Sequence, residues 1–415
     1  MFATLPLMCF SLLWGVLSFQ KLNETASCGW RRSFVLACLI WATFLTLTTE
    51  FLSLFAALTF TGLILALSLA LGVLAGTAAW RIRAGWRVPW PVIKLDRFSL
   101  FLTVCMGVIL LGLALVAWVA PPNTWDSMTY HLGRVVHWIQ NRSVAHYPTN
   151  ITRQLWQNPF AEYVITHLQI LSGSDRLANF VQWFSLAAGC VGTSLIAAQL
   201  GANLKGQCLA AVFSLSLPMG LLQAASTQND YVVSLWCVCF VYMTIAFIQK
   251  PTLTGSLWVG LSLGLAMLTK TTTYLFCAPL VIFLPIYTML RHRRAFLKLM
   301  IAVLGPVLLL NAGHLARNVT VYANLFGPLS DPTFTVANAT ISLPVMASNI
   351  VRNLGLHAWT PVPTVKTRPP GKSSISSTTV SWAFPKPTRV RPGPESPILY
   401  RNSLSMKVLR AILYI

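Results

Sequence analysis

Acidic side chains are scarce in this chain: nine Asp and Glu stand against thirty Lys and Arg in 415 residues, and charged residues make up only 9% of the total. Soluble domains carry about 25% charge, so a water-facing globular surface is excluded. Cysteine is confined as well. Eight of the nine cysteines fall inside apolar runs and only Cys28 lies in a loop, which leaves neither a disulfide framework nor zinc-ligand spacing; Cys237-x-Cys239 reads as packing within a span. A basic leader followed by a small-residue cleavage site is also missing, so Met1 to Leu17 reads as a first membrane span and not as a removed signal peptide.

What is present is apolar. Hydrophobic residues form 55% of the chain and the mean hydropathy is +0.66, and spans recur at approximately 2–19, 33–49, 51–79, 98–120, 180–200, 208–227, 231–248, 254–271, 273–290 and 297–313. Roughly 20 such residues cross about 30 Å of hydrocarbon, where the backbone must bond to itself as helix. The expected fold is therefore an all-α polytopic bundle of about ten transmembrane helices. The net charge of +21 comes in short clusters between the spans and not in one stripe, which argues against nucleic acid.

Those clusters alternate. Lys21, Arg31 and Arg32 follow the first span; Arg81, Arg83, Arg87, Lys94 and Arg97 the third; then come Lys205, Lys250, and the group Arg291, Arg293, Arg294 and Lys298. The positive-inside rule makes these loops cytoplasmic. A tight Thr49-Glu50 turn, the long segment 121–179, the Asn229-Asp230 turn, the short turn after Lys270 and the chain after His314 then share the outer face.

The long outer segment is where polar chemistry collects. Asn123 or Thr124 can cap a helix running to about Gln140. At 100° per residue Trp125, Met128, Leu132, Val135, Val136 and Ile139 share one side, and Asp126, Tyr130, Arg134 and His137 the other. The expectation is an interfacial helix with its apolar face in the headgroup boundary and its polar face outward. A second helix is expected from Pro159, capped by Asn158, to Gly173, with Glu162, Thr166 and Gln169 on one face. Such helices often serve only as scaffold, and His137 and His146 individually suit structural roles, but Asp beside Tyr, Arg and His exceeds what solubility requires. Lys270 ends its span and either snorkels or binds an anion. With Arg134, Arg153 and Arg317 it places four cations around one carboxylate, which suits a phosphate-bearing substrate. Asp230, beside Gln228 and Asn229, is a second outer acid, able to hold an acceptor hydroxyl or a metal, or simply to cap its helix. Sequons stand at Asn141, Asn150, Asn318 and Asn338.

The motifs "TWDSMTYHLGRVVHW", "HYPTN", "RQLWQNPFAEYVITHLQILSG", "TQNDY" and "GLAMLTKTTTYLF" together resemble the GT-C type of multi-spanning glycosyltransferases, in particular the bacterial PMT- and ArnT-like group, over roughly residues 30 to 360. The resemblance implies a polyprenyl-phosphate-sugar donor, an acceptor that is a glycan, lipid or protein, and an active site at the outer face of the cytoplasmic membrane. It also implies that a first-loop carboxylate, here Asp126, acts as base. Arg134, Lys270 and Arg317 are then candidates to receive the leaving phosphate, and Tyr130, His137, Glu162 and Asp230 candidates for binding substrate. Where the family often has two adjacent acids, Ser127 follows a single Asp, and the use of a divalent metal stays open. A transporter or flippase is the competing expectation, but it calls for charges at span centres and paired broken helices. Neither pattern is found. Residues 361–415 are rich in Pro, Ser, Arg and Lys and cannot build a core. They read equally as a disordered tail or as a truncated or out-of-frame end, which would make the chain an inactive relative. The remaining divisions expected are membrane helices to residue 120, the outer loop 121–179, a second helix set 180–316 and an outer segment 317–360.

Overall fold

A computed structural model describes residues 2–21, 29–88, 95–328 and 342–358. The chain divides into units 1–360 and 361–415; the tail, Cys28 and Asn338 lie outside the described residues. Helices dominate. They are α1 (Leu5–Ser18), α2 (Trp30–Leu54), α3 (Phe60–Arg83), α4 (Arg97–Val119), α5 (Leu132–Asn141), α6 (Arg153–Trp156), α7 (Phe160–Ser172) and α8 (Phe180–Gln199). They continue as α9 (Leu204–Leu215), α10 (Pro218–Gln223), α11 (Asp230–Gln249), α12 (Leu253–Thr269), α13 (Thr273–Phe276), α14 (Ala278–Arg291), α15 (Phe296–Tyr322) and α16 (Leu343–Ala358). The strands among the described residues are β1 (Gln20–Lys21) and β2 (Trp86–Arg87), paired antiparallel.

Among the described residues six helices are long and apolar enough to cross a membrane, namely α2, α3, α4, α8, α11 and α15, and shorter apolar helices fill the positions of the other four expected spans. The protein is an all-α polytopic membrane protein. Several boundaries differ from expectation: the span expected at 273–290 is divided into α13 and α14, and α15 runs past the expected 313 to Tyr322, so that Arg317 lies within it. Glu50 is not in a turn: α2 runs on to Leu54, and the chain reverses at residues 55–59, where Ala56 takes a left-handed φ of 48° and the Thr59 hydroxyl caps α3 by accepting from the Gly62 amide. The expected span 208–227 is broken into α9 and α10, because the ring of Pro218 cannot continue a helix from the preceding turn.

The bundle's packing is closest between α12 and α15, with α11 on the other side of α12 and α8 beyond it. Small residues allow the approach. A Cβ on Gly260 would stand 2.2 Å from the carbonyl oxygen of Val303, and one on Gly264 would stand 3.1 Å from the Cα of Val307. The Asn311 amide locks the same contact by donating to the Gly264 carbonyl at 3.0 Å. In lipid the hydrophobic effect does not drive helices together, so this close fit and its hydrogen bond carry the association.

Long-range contacts collect one set of loops at one end of the bundle. Asn179 donates to the Ala120 carbonyl, Asn158 to Met267 and Asn229 to Thr269, while Tyr163 of α7 meets Glu50 at the end of α2. The segment 121–179, the 227–230 turn and Lys270 therefore face one another. Gly260→Ala should lower the thermal unfolding midpoint of the detergent-solubilised protein, reflecting a loss of about 1–3 kcal/mol. Gly305→Ala, whose Cβ meets no atom within 4 Å, should not lower it.

Candidate active site

Thr124 opens the helix that carries Asp126, its hydroxyl accepting from the Ser127 amide at 3.2 Å. The next turn is not α-helical. Ser127–His131 forms a π-turn, with the Leu132 amide reaching back five residues to the Ser127 carbonyl, before α5 resumes and ends at Arg142 in the left-handed region (φ 55°). The expected outward polar face is overturned for its larger members, which pack against protein instead of facing outward. Tyr130, His131, Arg134 and Trp138 are buried, whereas Trp125 and Met128 are 77% and 60% exposed. Asp126 and His137 stay half-buried, and His137 stacks on Tyr147 with ring centroids 4.1 Å apart. The second helix starts and stops as expected, but Asn158 does not cap it; its amide is drawn to the Met267 carbonyl at 2.5 Å.

The four cations do not surround one carboxylate. Each faces its own acid. Arg134 is fully buried, donates to the carbonyls of Gln157 (2.9 Å) and Arg153 (3.1 Å), and lies 3.9 Å from Glu162. Glu162 also takes a short hydrogen bond from His131. Burial pushes the Glu162 carboxyl upward, but Arg134 and His131 outweigh it and hold it below its usual range, so it remains ionised. Burial, with Glu162 and Asp126 adding to it, pushes the Tyr130 phenol well up. Arg317 grips Glu50 with two bonds of 2.7 and 2.9 Å and also donates to the Tyr163 hydroxyl, which donates to Glu50 at 2.5 Å. A Cβ on Gly313 would intrude to 2.4 Å from Glu50, so a glycine is needed beside the clasp. Glu50 and Tyr163 escaped the sequence reading, although an acid inside an apolar run signals a buried partner.

The accessible charge is elsewhere. Asp126 stands 3.7 Å from Arg153, with side chains 36% and 32% exposed, and Lys270 donates to Asp230 at 2.6 Å, with side chains 24% and 39% exposed. The Thr227 hydroxyl ties the segment that leads to Asp230 to the one that carries Asp126, by donating to Ser127 at 2.5 Å. Among the described residues no group of three His, Cys, Asp or Glu could hold a metal ion. A single carboxylate already facing a guanidinium is a poor seat for a divalent cation. The arrangement supplies two partly exposed carboxylates, each facing its own cation, at one end of a membrane bundle.

In the same half of the bundle as α7, an apolar cavity of about 420 Å³ is walled by residues that include Phe10, Trp41, Phe160, Phe184 and Trp236, with His167 among the few polar ones. The Thr49 hydroxyl donates to the Leu45 carbonyl, so it must accept from His167 Nε2–H at 2.8 Å. Burial pulls the His167 pKa down to about 4.

Two outcomes follow from these buried charges. Arg317→Met should cost about 3–5 kcal/mol by stranding Glu50, read as a lowered unfolding midpoint, and adding Glu50→Gln should recover most of it. Between pH 6.5 and about 4 the unfolded chain binds a proton at His167 that the folded chain refuses. Stability should therefore fall as pH drops through that window, by up to about 3 kcal/mol for this group, and His167→Gln should flatten that part of a midpoint-versus-pH curve.

Residues 157–312 match the family model described as dolichyl-phosphate-mannose-protein mannosyltransferase. The matched stretch contains Glu162, Asp230 and Lys270, and lies between Asp126 and Arg317. No curated protein and no solved structure matches the chain. Over that stretch the chain is similar to the membrane glycosyltransferases of the GT-C type, as the motifs of its loops imply.

Proposed function

We propose that this protein transfers a sugar from a polyprenyl-phosphate donor to an acceptor hydroxyl at the outer face of the cytoplasmic membrane. The observation that carries the reading is that two half-exposed ion pairs, Asp126–Arg153 and Asp230–Lys270, stand on segments joined by the Thr227–Ser127 hydrogen bond. Displacement at the anomeric carbon needs a base for the acceptor hydroxyl and positive charge for the departing phosphate. Asp126 takes the acceptor's proton as its oxygen bonds to the anomeric carbon. The bond from that carbon to the phosphate oxygen breaks with its electron pair on the phosphate, and Lys270 and Arg153 receive the charge.

The other candidates take supporting roles. Arg134, Glu162 and Arg317 are spent on buried partners and hold the loop to the bundle, while Asp230 keeps Lys270 extended and shares it with an arriving phosphate. Tyr130 lies under the Arg153 guanidinium, 5.4 Å from ring centroid to Cζ, and fixes its direction. His137, half-buried on α5, is available to an acceptor. The apolar cavity offers a dry place for part of a polyprenyl chain while the sugar meets water. Basic loops at the opposite end support the outward orientation of the site.

The test is transfer by proteoliposomes from a panel of radiolabelled polyprenyl-phosphate sugars. Asp126→Asn should lose at least about 100-fold in rate at matched protein level, and Lys270→Met about 10- to 100-fold. Transfer unaffected by Asp126→Asn would overturn the assignment of the base.

A further inference from the structure

The π-turn that follows Asp126 is held from outside the helix by one buried side chain. Gln154, 6% exposed on α6, donates from Nε2 to the Thr129 carbonyl at 2.7 Å, in the middle of the widened turn. Its Oε1 accepts from the hydroxyls of Tyr147 (3.0 Å) and Thr149 (3.1 Å), so every polar atom of the amide is engaged. Gly133 makes room for it, because a Cβ there would lie 2.7 Å from Nε2. The residue before Gln154 is Arg153, the cation facing Asp126. Docking Gln154 therefore sets the π-turn that aims the carboxylate and, through the same short helix, the guanidinium opposite it.

We infer that Gln154 is a positioning residue for the transfer site, acting through the Thr129 carbonyl to hold the Ser127–His131 turn and with it the Asp126–Arg153 pair. A π-turn lengthens the backbone loop by one residue and loosens its ladder, so an inserted donor has a larger effect there than on a regular helix. The part of this inference that concerns rate rests on the proposed function; the part that concerns the turn does not.

Two variants separate the bonds. Gln154→Glu keeps acceptors for Tyr147 and Thr149 but removes the donor to Thr129, whereas Gln154→Met removes both. Both should lower kcat by about 10- to 100-fold with the donor KM little changed, and Gly133→Ala should do the same by displacing the amide. In amide hydrogen exchange on nanodisc-embedded protein, residues 127–133 should exchange at least about tenfold faster in Gln154→Glu than in the wild type, with α11 and α12 unaltered. Unchanged exchange across 127–133 would overturn the inference, whatever the activity. So would wild-type kcat in Gln154→Glu under conditions where Asp126→Asn abolishes transfer. If Asp126→Asn retains transfer, the proposed base fails, and the exchange rates still decide whether Gln154 holds the turn.

Discussion

Charge taken out of water must find opposite charge, and in a chain with nine acids that constraint organises the loop end of the bundle. Glu50, Glu162, Asp126 and Asp230 each face a cation supplied by a different part of the chain. The largely shielded Glu50–Arg317 pair ties α2 to α15, and the buried Arg134–Glu162 pair ties α5 to α7. The other two pairs stay partly exposed. Scarcity of acids thus does more than mark a membrane protein; it limits how many ways the loops can dock.

The same separation sorts structure from chemistry. Arg317 and Arg134 are committed to carboxylates, carbonyls and a tyrosine inside the protein, and drawing either guanidinium onto another anion would break those contacts. Lys270 and Arg153 have one acid apiece and remain partly exposed, so each pair contributes little to stability and can exchange partners at modest cost. The apolar cavity and the close α12–α15 contact lie in the bundle itself, where shape and small residues govern.

Hydropathy is a local property of about 20 consecutive residues, so the sequence by itself determined that this is a helical membrane protein, where most of its helices lie, and which segment gathers the polar chemistry. It also marked Asp126, Asp230 and Lys270 as residues of one neighbourhood, through their shared position at span ends. Which way the polar residues point was decided only by the tertiary structure. Helical periodicity groups Tyr130 and Arg134 on one side but does not say whether that side meets water or protein; Glu162 and the carbonyls of Gln157 and Arg153 draw Arg134 inside. Charge partners are equally invisible in a linear reading, since Glu50 meets Arg317 across 267 residues and His131 meets Glu162 across 31. A sequence shows how many charges must be neutralised; only the folded bundle brings distant helices close enough to choose the partners.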